Sequence, residues 1–236
     1  MSIWNGYEEE ELVFEDRRAT IVFPRSAAKG RFWSMKMEYK EAFPETEIAL
    51  LEAGFHVVYL KNDCRWVRDE DNEIRARFVD FIVEKYRLNP KFCPIGMSAG
   101  GAHSISFASV YPEKVAAMFL DAPVVDFSQC PVNMPTIMEK EFYPKYGNLT
   151  VEEIKACPEN PLNRLSALTA ARIPLFLVCG DADQVVLFEE NGKVLAEAYD
   201  SAGIEYRLVV TEGRGHHPHG LADPTQIVDF LIGAYN

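Results

Sequence analysis

The chain has 236 residues, enough for one large α/β domain or two small ones, and 48% of them are hydrophobic, which supplies a sizeable core. A formal net charge of −12 argues against a nucleic-acid partner and against binding to anionic membranes. Five scattered cysteines (Cys64, Cys93, Cys130, Cys157, Cys179) include no C-x-x-C pair, which is the usage of free thiols in a reducing compartment rather than of a disulfide framework. Met1–Asp16 is acidic and lacks a basic region followed by an apolar core, and no span of about 20 apolar residues occurs, so the cytoplasm is the expected location.

Glu11–Glu15 and Ala19–Pro24 read as two strands of a hairpin turning at Asp16-Arg17-Arg18. Arg25–Trp33 follows as a loop. Lys36–Ala53 has mixed apolar spacing and ends as a helix with Gly54 just past its last turn. Phe55–Leu60 is a strand, and a charged loop from Lys61 leads to a helix over Asn72–Tyr86 with Ile74, Phe78, Phe81 and Ile82 on its apolar face. An extended run, Lys91–Ile95, then enters Gly96-Met97-Ser98-Ala99-Gly100, and a helical run from Gly101 to Tyr111 leaves it. Strand, G-x-S-x-G and helix make the nucleophile-elbow pattern, which sets Ser98 on a strained turn and the Ala99 N–H where an oxyanion would form. Val115–Leu120 is a buried strand ending at Asp121. Phe127–Ala171 is rich in proline and aromatic residues, with one short helix over Val151–Cys157, and reads as a cap inserted into the domain. Pro174–Gly180 is a buried strand, Glu189–Ala202 a helix, Tyr206–Val210 a strand, and Asp223-Pro224 opens a last helix running to about Ala234. Alternating strands and helices imply an α/β fold: a mostly parallel sheet with helices on both faces, one domain over residues 1–236 with a cap at about 127–171.

A serine hydroxyl needs a base within hydrogen-bond reach, and the base needs an acid that fixes its tautomer. On this architecture the chain order is serine, acid, histidine. Asp183, in Gly180-Asp181-Ala182-Asp183 just past the buried strand, is the first choice for the acid. Asp121, also at the carboxyl end of a strand, competes with it, and Asp181 suits a turn. His216 is the expected base, in Gly213-Arg214-Gly215-His216-His217-Pro218-His219-Gly220 between the last strand and the last helix, with His217 second and His219 shaping the loop. Structural roles suit His56 and His103. The three clustered histidines lack a cysteine or carboxylate at ligand spacing, so neither a metal nor a cofactor is expected.

Taken together, Gly96-Met97-Ser98-Ala99-Gly100, Gly180-Asp181-Ala182-Asp183 and Gly215-His216-His217 resemble the α/β-hydrolase superfamily over about Thr20–Tyr235. Trp4-Asn5-Gly6-Tyr7, Leu50–Tyr59, Asp121-Ala122-Pro123-Val124, Gly180–Val186 and Gly215–Leu221 are similar to a narrower group, bacterial hydrolases of the prolyl-oligopeptidase and acyl-esterase type that lack a propeller. The resemblance implies Ser98 as nucleophile, Asp183 as acid and His216 as base. Two departures stand out. The group's arginine after the nucleophile is Ala99 here. Its Pro-Trp-x-Trp-Arg segment is Phe32-Trp33-Ser34-Met35-Lys36, where Lys36 replaces the arginine as the substrate-binding candidate with a point charge instead of a fork. A second oxyanion donor is expected from the Arg25–Trp33 loop, with Trp33 as the candidate.

The expected activity is hydrolysis of a small carboxylic ester through an acyl-enzyme, with an O-acyl carbohydrate among the substrates that the resemblance suggests. The rivals are a peptidase or amidase with the same three residues, and a binding protein on a hydrolase scaffold. The expected partner is a small-molecule ester; nothing in the sequence indicates a homo-oligomer.

Overall fold

In the computed structural model, which describes residues 1–235, the strands are β1 (Ser2–Trp4), β2 (Tyr7–Phe14), β3 (Arg17–Val22), β4 (Trp33–Lys36), β5 (His56–Leu60), β6 (Cys93–Met97), β7 (Met118–Asp121), β8 (Leu175–Gly180) and β9 (Tyr206–Thr211). They form one nine-stranded sheet in the order β1-β2-β3-β5-β4-β6-β7-β8-β9. The amino-terminal strands pair antiparallel up to β5, and every pair from β5 to β9 is parallel. Each residue of β6, β7 and β8 is buried, which is why these strands read as unbroken apolar runs. In contrast, β2 alternates between buried and exposed residues, as a strand solvated on one face does.

Helices cover both faces. Helix α2 (Asp69–Tyr86) and helix α3 (Ala99–Val110) pack with Gly192–Ser201 on one side, where Phe78, Ile82, Ile105 and Leu195 meet Met118, Leu120, Leu175 and Leu177. Helix α1 (Glu45–Glu52) and the last helix, Thr225–Gly233, cover the other, where Leu50, Ile227 and Leu231 meet Ile95, Phe119, Phe176 and Val178. The alternation along β7 and β8 thus feeds two cores, one on each face. This is the α/β-hydrolase arrangement.

Two strands were not expected. β1 pairs with β2 through the turn at Asn5-Gly6 and is only three residues long. β4 sits in the middle of the sheet, yet its four buried residues include Ser34 and Lys36, which hide its apolar pattern. Helix α2 starts at Asp69, ahead of the expected Asn72, because Asp69, Glu70 and Asp71 suit the positive end of the helix and Asp71 accepts from the Arg68 N–H at 3.3 Å. The last helix starts one residue later than expected, with Pro224 rather than Asp223 at its N-cap, and Asp223 accepts from Thr225 N at 3.0 Å just ahead of it.

Between β7 and β8, residues Phe127–Ala170 fold as a succession of short helices, including Val151–Ala156 and Leu165–Ala170. Phe127, Cys130, Met138, Phe142 and Ile154 form a small core of their own against Trp66, Val67, Val124 and Val186. Among the described residues no helix is long and apolar enough to cross a membrane.

Polar groups are buried beneath α3. The His103 Nε2 lies 3.0 Å from the Arg65 carbonyl, and Arg75, wholly buried, donates to Asn62 and to Asn72. Burial and the neighbouring Arg75 cation push the His103 pKa down to about 3, and burial together with Arg31 pushes that of His56 down to about 4. Both rings are therefore neutral in the folded chain, while the unfolded chain protonates them near 6.5. Below that pH the unfolded state binds protons that the folded state refuses, so stability falls as pH falls. Thermal unfolding followed by circular dichroism should show a nearly level Tm above about pH 6.5 and a progressive decline towards about pH 4. A Tm that stays level through that window would contradict neutral burial of the two rings.

Candidate active site

Strand β6 ends at Met97, and the chain turns at once into α3. Ser98 carries the turn at φ 52° and ψ −121°, a conformation that costs about 1–3 kcal/mol for a residue other than glycine. Three hydrogen bonds hold it there. The Ser98 N–H donates to the Asp121 carbonyl at 3.0 Å, and the Ser98 carbonyl accepts from Gly101 N and Val124 N, each at 2.9 Å. The turn leaves no room at Gly96, where a Cβ would sit 2.4 Å from Ser104 Oγ and 2.5 Å from the Gly100 carbonyl oxygen.

The loop after β9 brings His216 to this serine. His216 Nε2 lies 3.0 Å from Ser98 Oγ, and His216 Nδ1 lies 2.7 Å from Asp183 Oδ2. The other oxygen of Asp183 accepts from Val185 N at 2.8 Å and Val186 N at 2.9 Å. Burial pushes the Asp183 carboxyl up, but the His216 bond and the two backbone donors outweigh it and leave the group below its ordinary value. An ionised carboxylate only accepts, so it fixes the proton on Nδ1 and points the Nε2 lone pair at Ser98. The structure thus brings together Ser98, His216 and Asp183, three of the residues that the sequence singles out.

Asp121, the competing acid, goes elsewhere. It is fully buried, and its carboxylate accepts from Arg214 Nη2 at 2.8 Å, Arg214 Nη1 at 3.0 Å, Gly220 N at 2.6 Å and His219 Nδ1 at 3.2 Å. It holds the loop that carries His216 without bonding His216 itself. Asp181 accepts from Gly213 N at 2.7 Å and fixes the start of the same loop. His217 stacks on Phe43, with ring centroids 5.3 Å apart, and burial together with the other two histidines holds its pKa below the ordinary value.

These groups open on a cavity of about 340 Å³ lined by Ser98, Ala99, Tyr39, Phe43, Met134 and His217, among others. Trp33 and Lys36 are not on its wall, and both expectations need correction. Trp33 stands at the amino end of β4, whereas Ser98, Asp183 and His216 follow the carboxyl ends of β6, β8 and β9. Its indole donates to the Asn89 carbonyl at 2.8 Å and stacks on Phe92 at 4.8 Å, inside the core. The loop nearest the elbow is therefore the one after β4, residues 37–44, and not Arg25–Trp33. Lys36 is 1% exposed and pairs with Glu47 at 2.7 Å, while donating to the Ala42 carbonyl at 3.0 Å. It anchors the loop on the cavity rim from behind. Tyr39, Phe43, Arg65 and Trp66 are wall residues that the sequence did not reveal. The available signal was positional: a recognised β4 would have put loop 37–44 at the functional end of the sheet. Of the cap residues, Met134 and Ile137 reach the cavity, whereas Met138 and Phe142 are fully buried in the cap core.

Residues 75–232, more than half of the chain, match the prolyl oligopeptidase family. The chain belongs to that family. No curated protein matches it. Among solved structures, an acylaminoacyl peptidase from Pyrococcus horikoshii is 12% identical, with a TM-score of 0.71 over 97% of this chain and 40% of that one. A truncated carbohydrate esterase from gut microbiota is 16% identical, with a TM-score of 0.68 over 97% of both chains. An S-formylglutathione hydrolase from Staphylococcus aureus is 14% identical, with a TM-score of 0.70 over 98% of both chains. At these identities the likeness is one of fold. The chain spans 35–40% of the length of the four peptidase structures that it matches.

Among the described residues, Arg214 is the one arginine or lysine bonded to the buried Asp121 carboxylate, and its own side chain is 8% exposed. Replacing it (Arg214→Ala) leaves that charge without its partner, and such a loss costs about 3–5 kcal/mol. Urea unfolding should show the midpoint falling accordingly. An unchanged midpoint would mean that the pair does not hold the histidine loop.

Proposed function

We propose that this member of the prolyl oligopeptidase family hydrolyses a small carboxylic ester through a serine acyl-enzyme. The observation that carries the reading is the unbroken hydrogen-bonded series from Ser98 through His216 to Asp183, opening on a cavity. Ser98 Oγ attacks the ester carbonyl while His216 Nε2 takes its proton. The imidazolium, stabilised by Asp183, returns the proton to the departing alkoxide. Water then attacks the acyl-enzyme, again through His216, and releases the acid.

The oxyanion needs donors on the carbonyl side. One is the Ala99 N–H at the start of α3, where the helix dipole adds partial positive charge. We assign the second to the Tyr39 hydroxyl. Tyr39 lines the cavity with Ser98 and Ala99, and Arg65 Nη1 donates to its oxygen at 3.0 Å, which leaves the hydroxyl proton free to donate inward. Burial pushes the Tyr39 pKa up to about 12, so that proton is present at neutral pH.

The wall supports an uncharged acyl group. It is largely apolar, with Phe43, Met97, Val124, Met134, Ile137 and Val185, and Arg65 is already bound to both oxygens of Glu141 at 2.7 and 3.0 Å. A carbohydrate hydroxyl suits the alcohol part, in line with the carbohydrate esterase that shares the fold. Family membership keeps peptide bonds as the second reading, because the same three residues would serve amide cleavage.

A fluorophosphonate probe should tag the peptide containing Ser98, and hydrolysis of short p-nitrophenyl esters should fall by about 10³-fold or more in Ser98→Ala. Hydrolysis that survives this change would place the nucleophile elsewhere, and faster turnover of peptide amides than of any ester would favour the peptidase reading. For Tyr39→Phe, kcat should drop by about 10²–10³-fold with little change in KM. An unaltered kcat would move the second donor to the backbone of loop 37–44.

A further inference from the structure

The loop after β9 carries more imidazole than proton transfer requires. His216, His217 and His219 all line the cavity, and one nitrogen from each lies within 4.8 Å of one nitrogen of the other two. Their ring centroids stand 4.8, 4.9 and 5.0 Å apart. Two of the rings are already held in the manner of metal-ligating histidines. His216 Nδ1 is bonded to Asp183 and His219 Nδ1 to Asp121. A carboxylate on one ring nitrogen fixes the tautomer and leaves the other nitrogen as a basic, oriented ligand. His217, the exposed member, stacks on Phe43 and has the most room of the three to adjust.

We propose that His216, His217 and His219 form a binding site for a divalent zinc-like cation, and that occupation of this site switches the serine off. Three neutral imidazoles suit zinc or its neighbours in the first transition row and suit magnesium or calcium poorly. Zinc–nitrogen bonds of about 2.0–2.1 Å in a tetrahedron bring the three nitrogens to roughly 3.4 Å from one another. From separations of at most 4.8 Å, that requires the nitrogens to close by no more than about 1.4 Å, shared among the three rings. Water completes the tetrahedron from the cavity. The effect on the serine rests on the ester-hydrolase reading. The lone pair of His216 Nε2 that the metal takes is the one lying 3.0 Å from Ser98 Oγ, so a metallated His216 cannot accept the serine proton. Binding itself does not depend on that reading.

Calorimetric titration of the metal-free protein with zinc chloride tests the site. We expect one zinc per chain at micromolar concentration in wild type and in Ser98→Ala, and a Kd weakened by more than about tenfold in His217→Ala and in His219→Ala. Fluorophosphonate labelling of wild type should fall in step with zinc occupancy and return on addition of EDTA. No stoichiometric binding below millimolar zinc would overturn the proposal, as would an unchanged Kd in His217→Ala, whose exposed side chain can be removed without disturbing the core. Labelling that persists at full occupancy would overturn the switch. If the metal-free protein is never labelled, the hydrolase reading fails while the calorimetry still decides the metal site.

Discussion

One fully buried carboxylate joins the two halves of the site. Asp121 ends β7, between the strand that delivers Ser98 and the strand that delivers Asp183. A carboxylate can accept about four hydrogen bonds, and this one receives four, two from Arg214 and one each from Gly220 and His219. Buried charge is tolerable only when satisfied in this way. The carbonyl of the same residue takes the Ser98 N–H and helps to keep the serine in its strained turn. Main chain and side chain of a single residue therefore fix the elbow and the histidine loop with respect to each other. The distance from Ser98 to His216 follows from both.

The closeness of backbone at this point is equally demanding. A Cβ on Gly180, where β8 ends, would fall 2.1 Å from the Arg214 carbonyl oxygen. The chain at the carboxyl end of β8 and the loop after β9 touch through main-chain atoms, and Ala182 N donates to that same carbonyl at 3.1 Å. Asp183 and His216 come from two loops that are stitched before either side chain is considered.

Much of this was legible in the residues, and the gaps have physical causes. Strands β6, β7 and β8 announce themselves because both of their faces are covered, so nothing interrupts the apolar run. β4 is as buried as they are, but Ser34 and Lys36 break its pattern. A lysine in a sequence reads as solvent-facing; here Glu47, eleven positions on, neutralises it inside the protein. Missing β4 also reversed the polarity of its flanks, which is how Trp33 at the wrong end of the strand became a candidate for the oxyanion. The choice between Asp121 and Asp183 lay beyond pattern, since both follow buried strands. What separates them is Arg214, which claims Asp121, and that pairing spans 93 positions. The G-x-S-x-G turn, by contrast, can be recognised from five consecutive residues, although Asp121 and Val124 help to hold it.

The first part of the cap packs Phe127, Cys130, Met138, Phe142 and Ile154 in a cluster apart from the sheet, whereas Leu165 and Leu168 at its end belong to the sheet core. Met134 and Ile137 reach the cavity from that separate cluster, while Ser98, Asp183 and His216 hang from strand ends. Selectivity and reactivity are thus inherited through different parts of the chain. Met134 and Ile137 can change with little effect on that framework, whereas Leu165 and Leu168 are part of it, and Phe127 and Phe142 pack in one cluster with Val124 and Val186, whose N–H groups hold Ser98 and Asp183. On the proposed reading, a change at Met134 or Ile137 alters which acyl group fits while the series from Ser98 through His216 to Asp183 stays in place.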